Sequence, residues 1–141
     1  MNNSILVEPL VQIETEHGKV LRGIKKSDSL YRGFGELYFS QLNPNSINAW
    51  KKHDEMISNL IVVSGIVKFV FFNEIKNLFT CETLSVENYK RITVPPGLWF
   101  GFQNLSKNIS VIANMANIEH RSEEVKRKKI NEIDFDWSKK I

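Results

Sequence analysis

A chain of 141 residues, 42% hydrophobic and 25% charged, is sized for one soluble domain, residues 1–141, and its net charge of +3 is too small to point to nucleic acid. The single cysteine, Cys81, excludes an intrachain disulfide and a four-cysteine zinc site. No apolar run approaches the ~20 residues of a membrane span, and the N-terminus lacks a basic start and a cleavage site, so a cytoplasmic protein with no membrane partner is expected.

In chain order, "VQIETEHGKVLRGI" alternates across a His-Gly turn and predicts a hairpin. "GELYFSQLN" alternates apolar and polar residues before the turn cluster "NPNS". That period places Glu36, Tyr38 and Ser40 on one face and Leu37, Phe39 and Gln41 on the other, without deciding which is inward. "NLIVVSG" and "IVKFVFFN" are strand-like runs meeting at Ser64-Gly65, and the apolar second run suits a core strand or an interface strand. "LFTCETLS", "KRITVPP", "WFGFQNLS" and "NISVIANMANIEH" continue the series. Only "SEEVKRKKI" reads as helical, over about 121–130, with Ser122 as N-cap and acids in the first turn. Eight or more short strands at roughly 8–12-residue spacing indicate an all-β sandwich or small barrel.

The turn glycine after a long strand, followed by a strand ending in "VPPGLWFGF", resembles the double-stranded β-helix of the cupin jelly roll. "RGFGELYFSQLNPNSINAWKKH", "VVSGIVKFVFFN", "ENYKRITVPPGLWFGF" and "NEIDFDW" together are similar to the deoxythymidine-diphosphate-4-dehydrorhamnose 3,5-epimerases, from about Arg32 to Trp137. The resemblance implies a metal-independent isomerase without cofactor, a homodimer that acts on a nucleotide-linked 4-keto-6-deoxy sugar in surface-polysaccharide supply. The His53-to-Gly65 spacing and "VPPGLW" are also similar to the sugar 3,4-ketoisomerases. A sugar-nucleotide-binding module without chemistry is the third alternative.

Removing a proton alpha to a ketone needs a base of near-neutral pKa, a donor at the enolate oxygen and an acid on the opposite face. His53 falls where the family carries its base, and imidazole suits that role. Lys52 or Asn59 is the expected enolate donor, and Tyr38, Glu36 or a water the expected acid; the resemblance puts the family's tyrosine near Ala113 or Asn114, where this chain has none. The carboxylate that orients the base is expected near Asp134 or Asp136. An aromatic wall is expected from Trp50, Trp99, Phe100 and Phe102. Lys51, Lys52, Arg22 and Arg32 are candidates to meet a diphosphate. Gln41 and Asn114 complete the candidate substrate contacts. At the ligand positions of metal cupins the chain offers Lys51, His53, Glu55 and Phe100, a poor set for a cation.

Overall fold

The computed structural model describes residues 4–139. Two five-stranded antiparallel sheets face each other as a cupin-like β-sandwich. The first sheet holds β1 (Leu6–Pro9), β9 (Lys90–Val94), β6 (Ser58–Ser64), β11 (Ser110–Ala116) and β4 (Glu36–Leu42), in that spatial order. The second holds β12 (Val125–Arg127), β5 (Ile47–His53), β10 (Trp99–Asn104), β7 (Ile66–Asn73) and β8 (Leu78–Ser85). The expected hairpin forms as β2 (Gln12–Thr15) and β3 (Gly18–Leu21). Among the described residues no helix is long and apolar enough to cross a membrane.

Strand alternation sorts the side chains into layers. Leu60 and Val62 of β6, Val67, Phe69 and Phe71 of β7, Ile92, Phe100 and Ile112 meet between the sheets. Val70 of β7 belongs instead to a second cluster, on the outer face of the second sheet, with Trp50, Trp99, Ile133 and Trp137. The C-terminal segment therefore covers that sheet, which is why "IVKFVFF" is apolar on both faces: it is a core strand. The intervening Lys68 is buried on this outer side, where Nζ donates to the carbonyls of Trp137 (3.0 Å) and Lys139 (2.8 Å) and lies near the rings of Phe135 and Trp137. Among the described residues, carbonyl acceptors and ring faces rather than a carboxylate offset the cost of burying this polar group.

The expected C-terminal helix does not form. Residues Ser122–Glu124 make one 3-10 turn whose N-cap is Arg121, with no side-chain cap, and Ile130–Glu132 make another. Between them Val125–Arg127 pairs with the free edge of β5, in the register Val125↔His53 and Arg127↔Lys51. Helix propensity is a weak preference that tertiary contacts override; here a sheet edge supplies backbone partners, and the Glu124 side chain is engaged elsewhere.

Gly65, between β6 and β7, has φ +88°, and a Cβ built there would lie 1.9 Å from Ser110 Oγ. Ser110 cannot simply turn away, because its hydroxyl donates to Asn104 Oδ1 (2.6 Å) and accepts from Ile66 N–H (3.2 Å). Gly65→Ala combines a left-handed backbone with this overlap, so we expect a loss of about 2–3 kcal/mol, or roughly 10 °C in Tm, in thermal unfolding.

Candidate active site

β5 alternates, and its inward side chains at the C-terminal end are Lys51 and His53. The His53 carbonyl accepts from Gly97 N–H (2.8 Å), so the Pro95-Pro96-Gly97 turn, with Gly97 at φ +90°, pins the strand end that carries the imidazole. The His53 ring stacks on Phe100, with centroids 6.0 Å apart.

His53 Nδ1 lies 2.5 Å from Glu124 Oε2, and both side chains are buried. Glu124 Oε1 accepts the backbone N–H groups of Met56 (2.8 Å) and Glu55 (3.2 Å), and the Glu124 carbonyl accepts Asp54 N–H (2.8 Å). A carboxylate bound on both oxygens by donors stays ionised: despite its burial, Glu124 is held below the usual glutamate range by the His53 hydrogen bond and the Met56 amide. Burial lowers the His53 pKa below its ordinary 6.5, against the opposing pull of Glu124. Both shifts describe a neutral imidazole donating Nδ1–H to a carboxylate, which leaves the Nε2 lone pair as acceptor. Nε2 is buried and has no hydrogen-bond partner among the described residues. An unsatisfied buried acceptor is costly in a fold; its residue, His53, lines a cavity of ≈ 260 Å³ with Glu36, Tyr38, Lys51, His120, Val125 and Arg127.

The inward face of β4 is the one with Glu36 and Tyr38. Tyr38 is paired with Asn114 of β11, and its hydroxyl accepts from Asn114 Nδ2 (2.7 Å). Asn114 is held in that orientation because its Oδ1 accepts from Asn59 N–H (3.1 Å). Among the described residues the acceptor for the phenol's own proton is the Met56 thioether, at 4.0 Å, a weak one. Burial raises the Tyr38 pKa above its ordinary 10.0, with smaller contributions from Glu36 and Glu124, so the group is a protonated phenol at neutral pH. Glu36 accepts His120 N–H (2.9 Å) and so ties the segment after β11 to the cavity wall.

Several expected contacts lie elsewhere. Lys52 points to the outer face of β5, 5.0 Å over the Trp99 ring and 3.8 Å from Glu74, so it cannot serve an enolate beside His53. Trp50 and Trp99 are buried in the outer cluster, where their indole N–H groups donate to Ile130 carbonyl (3.1 Å) and Glu74 (3.0 Å). Asn59 is locked between strands by Thr93 Oγ1 (2.8 Å) and the Met115 carbonyl (3.2 Å), a structural role rather than an enolate donor. Gln41 lies on the exposed outer face of β4. Arg32 is exposed and donates to its own loop at Ser29 and Tyr31, and Arg22, exposed directly after β3, lines a separate cavity with Glu8 and Arg91. Asp136 caps Ser138 and lies remote from His53's carboxylate partner, and Asp134 is exposed. Phe100 and Phe102 do face the interior, with Lys51 Nζ 5.3 and 5.9 Å from their ring centroids.

Glu124, which holds His53, and His120 and Arg127, which line the candidate cavity, are residues that sequence reasoning missed. The usable signal was the pair His53 and a distant acid, but "SEEVKR" carries its acids in a run that reads equally as a helix start. Among the described residues no group of three His, Cys, Asp or Glu could hold a metal ion, and the cations Lys51 and Arg127 beside His53 make the donor set unsuited to one.

No family model matches the sequence, and no curated protein matches it. Solved structures do. A dTDP sugar isomerase from Desulfovibrio desulfuricans G20 superposes with TM-score 0.90 at 29% identity, over 95% of this chain and 90% of that one. QdtA, a sugar 3,4-ketoisomerase from Thermoanaerobacterium thermosaccharolyticum solved with TDP, gives 0.76 at 15% identity, over 91% and 90%. A dTDP-4-dehydrorhamnose 3,5-epimerase from Bacillus anthracis, solved with TDP and PPi bound, gives 0.84 at 14%, over 98% and 87%. The chain thus has the fold of the dTDP-sugar isomerases, epimerases and ketoisomerases, along nearly its whole length.

Proposed function

We propose that the chain is a cytoplasmic, metal-independent isomerase of a nucleotide-linked 4-keto-6-deoxy sugar, acting by proton abstraction alpha to the ketone in the supply of cell-surface polysaccharide sugars. The observation that carries this reading is the unsatisfied Nε2 of a neutral His53, held by Glu124, on a residue that lines one cavity with a protonated Tyr38. In the forward step Nε2 takes the carbon-bound proton, and the C–H electron pair moves into an enolate whose negative charge falls on the former ketone oxygen. The imidazolium that forms is stabilised by Glu124. Tyr38 then gives its proton to the carbon from another direction, and the enzyme resets when His53 loses its proton and the tyrosinate regains one. Asn114 holds the phenol oxygen for this transfer, and the cations Lys51 and Arg127 on the wall of the same cavity make its field favourable to negative charge. The resemblance puts the epimerase acid on β11 near Asn114; here the phenol comes from the neighbouring strand and reaches Asn114 through a hydrogen bond.

A 3,4-ketoisomerisation is the second reading, favoured by the short His53-to-Gly65 spacing. In it the proton removed at C3 is delivered to C4 and the hydroxyl proton moves from O3 to O4. The protein is further proposed to act as a homodimer; Leu37 and Phe39, exposed on the outer face of β4, supply apolar surface for the contact.

The test is proton exchange in deuterated water with dTDP-4-keto-6-deoxyglucose, followed by NMR. Deuterium at C3 or C5 is the expected outcome; a product ketone at C3 selects ketoisomerase, and inverted carbons select epimerase. Binding of the substrate without exchange would return the chain to a sugar-nucleotide-binding module. Tyr38→Phe removes the acid but not the base, so we expect it to lower product formation by about 10²-fold or more while deuterium exchange at the carbon facing His53 persists.

A further inference from the structure

The His53 cavity meets a neighbouring one at a shared pair of residues. This second cavity, of ≈ 310 Å³, is lined by Ile47, Asn48, Phe102 and Lys128 among others, and it shares Lys51 and Arg127 with the first. The shared pair is a consequence of register: Arg127 stands opposite Lys51 across the β12–β5 ladder, so both side chains project from the same face. Among the described residues no acidic side chain lines the second chamber. Among the described residues neither Lys51 nor Arg127 has a carboxylate within ion-pair distance; the Lys51 ammonium rests against the Phe100 and Phe102 rings. Burial and the Arg127 charge both lower the Lys51 pKa. Directly opposed like charges on neighbouring strands destabilise a sheet, and an anion between them would reverse the sign of that interaction.

We propose that Lys51 and Arg127 form the diphosphate grip of the site, placing the sugar beside His53 and Tyr38 and the nucleoside beside Asn48 and Phe102. This assignment rests on the nucleotide-sugar reading above and adds a residue from the C-terminal edge strand. Arg127 suits the role because its planar fork can donate to two phosphate oxygens at once, while the Lys51 ammonium acts as a point charge. Asn48 offers hydrogen-bonding groups, and Phe102 a ring face, to a nucleobase. Arg127 also lies three residues after Glu124. The strand that grips the diphosphate is therefore continuous with the turn that holds the base in its working tautomer.

Isothermal titration of dTDP, inorganic pyrophosphate and thymidine into the wild type and Arg127→Gln tests this. We expect wild type to bind dTDP and pyrophosphate competitively. Arg127→Gln should weaken both by about 10–100-fold and change thymidine affinity little. Its unliganded Tm should equal or exceed that of wild type, because a like-charge contact is removed; a merely structural arginine would instead lower it. Unchanged dTDP affinity in Arg127→Gln, or no pyrophosphate binding to wild type, overturns the assignment. Two results separate it from the reading on which it rests. Loss of dTDP binding in the variant, with no sugar exchange by wild type, keeps the grip and removes the chemistry. Sugar exchange by wild type with unaltered dTDP affinity in the variant keeps the chemistry and removes the grip.

Discussion

His53→Asn should abolish deuterium incorporation into the sugar, by at least about 10³-fold, while the variant stays folded and still binds dTDP. Asparagine keeps a polar group near Glu124 and is smaller than imidazole, so it does not overfill the space against Phe100. It has no basic lone pair near neutral pH, so the carbon-bound proton has no acceptor. The wild-type pH profile follows from the same residue. Only neutral His53 can act as base, and burial moves its pKa below 6.5. Exchange in kcat/KM terms should therefore be level through pH 7 and decline with falling pH only below 6.5, as the imidazole becomes protonated. At the alkaline end, Tyr38 gives up its proton only above pH 10, because burial raises its pKa; a decline that sets in earlier reports Lys51, whose pKa burial and the Arg127 charge lower. A profile already half-lost at pH 7.5, or exchange by His53→Asn at the wild-type rate, would remove His53 from the mechanism. Titration of dTDP into the same variant shows whether the loss is chemical.

The local alternation of "GELYFSQ" correctly grouped Glu36 with Tyr38 and separated them from Gln41, but a period of two is symmetric and cannot name the inward face. That face was settled by β11, whose Asn114 stands opposite Tyr38. "AWKKH" shows the same limit. Two adjacent lysines look interchangeable in the sequence, yet the strand sends Lys51 to the cavity and Lys52 to the Trp99 and Glu74 side. The aromatics after "VPPG" divide likewise: Phe100 and Phe102 face inward, whereas Trp99 belongs to the outer cluster. The chain order of the strands was legible because β-branched runs and turn residues are local signals. Glu124 was not, because nothing near it in the sequence reports that residues 122–127 dock on the edge of β5. Edge pairing is a contact between segments 71 residues apart at His53 and Glu124, and it replaced a helix that local propensity alone would have favoured.

Glu124→Gln isolates what that carboxylate does. Glutamine has the same length, and its amide oxygen can continue to accept the Met56 and Glu55 amides that hold Glu124 Oε1. That orientation turns its NH₂ toward His53 Nδ1. A donor facing Nδ1 requires a lone pair there, so the imidazole proton shifts to Nε2, which ceases to be a base. We expect kcat to drop by about 10²–10⁴-fold, the range in which misorienting a catalytic histidine falls, with dTDP affinity nearly unchanged and stability lowered by about 1 kcal/mol. Imidazole ¹⁵N NMR reads the cause directly: Nδ1 carries the proton in wild type and Nε2 in the variant. A loss of activity without that tautomer change would make Glu124 a purely structural residue. A tautomer change with undiminished activity would show that proton abstraction does not pass through Nε2.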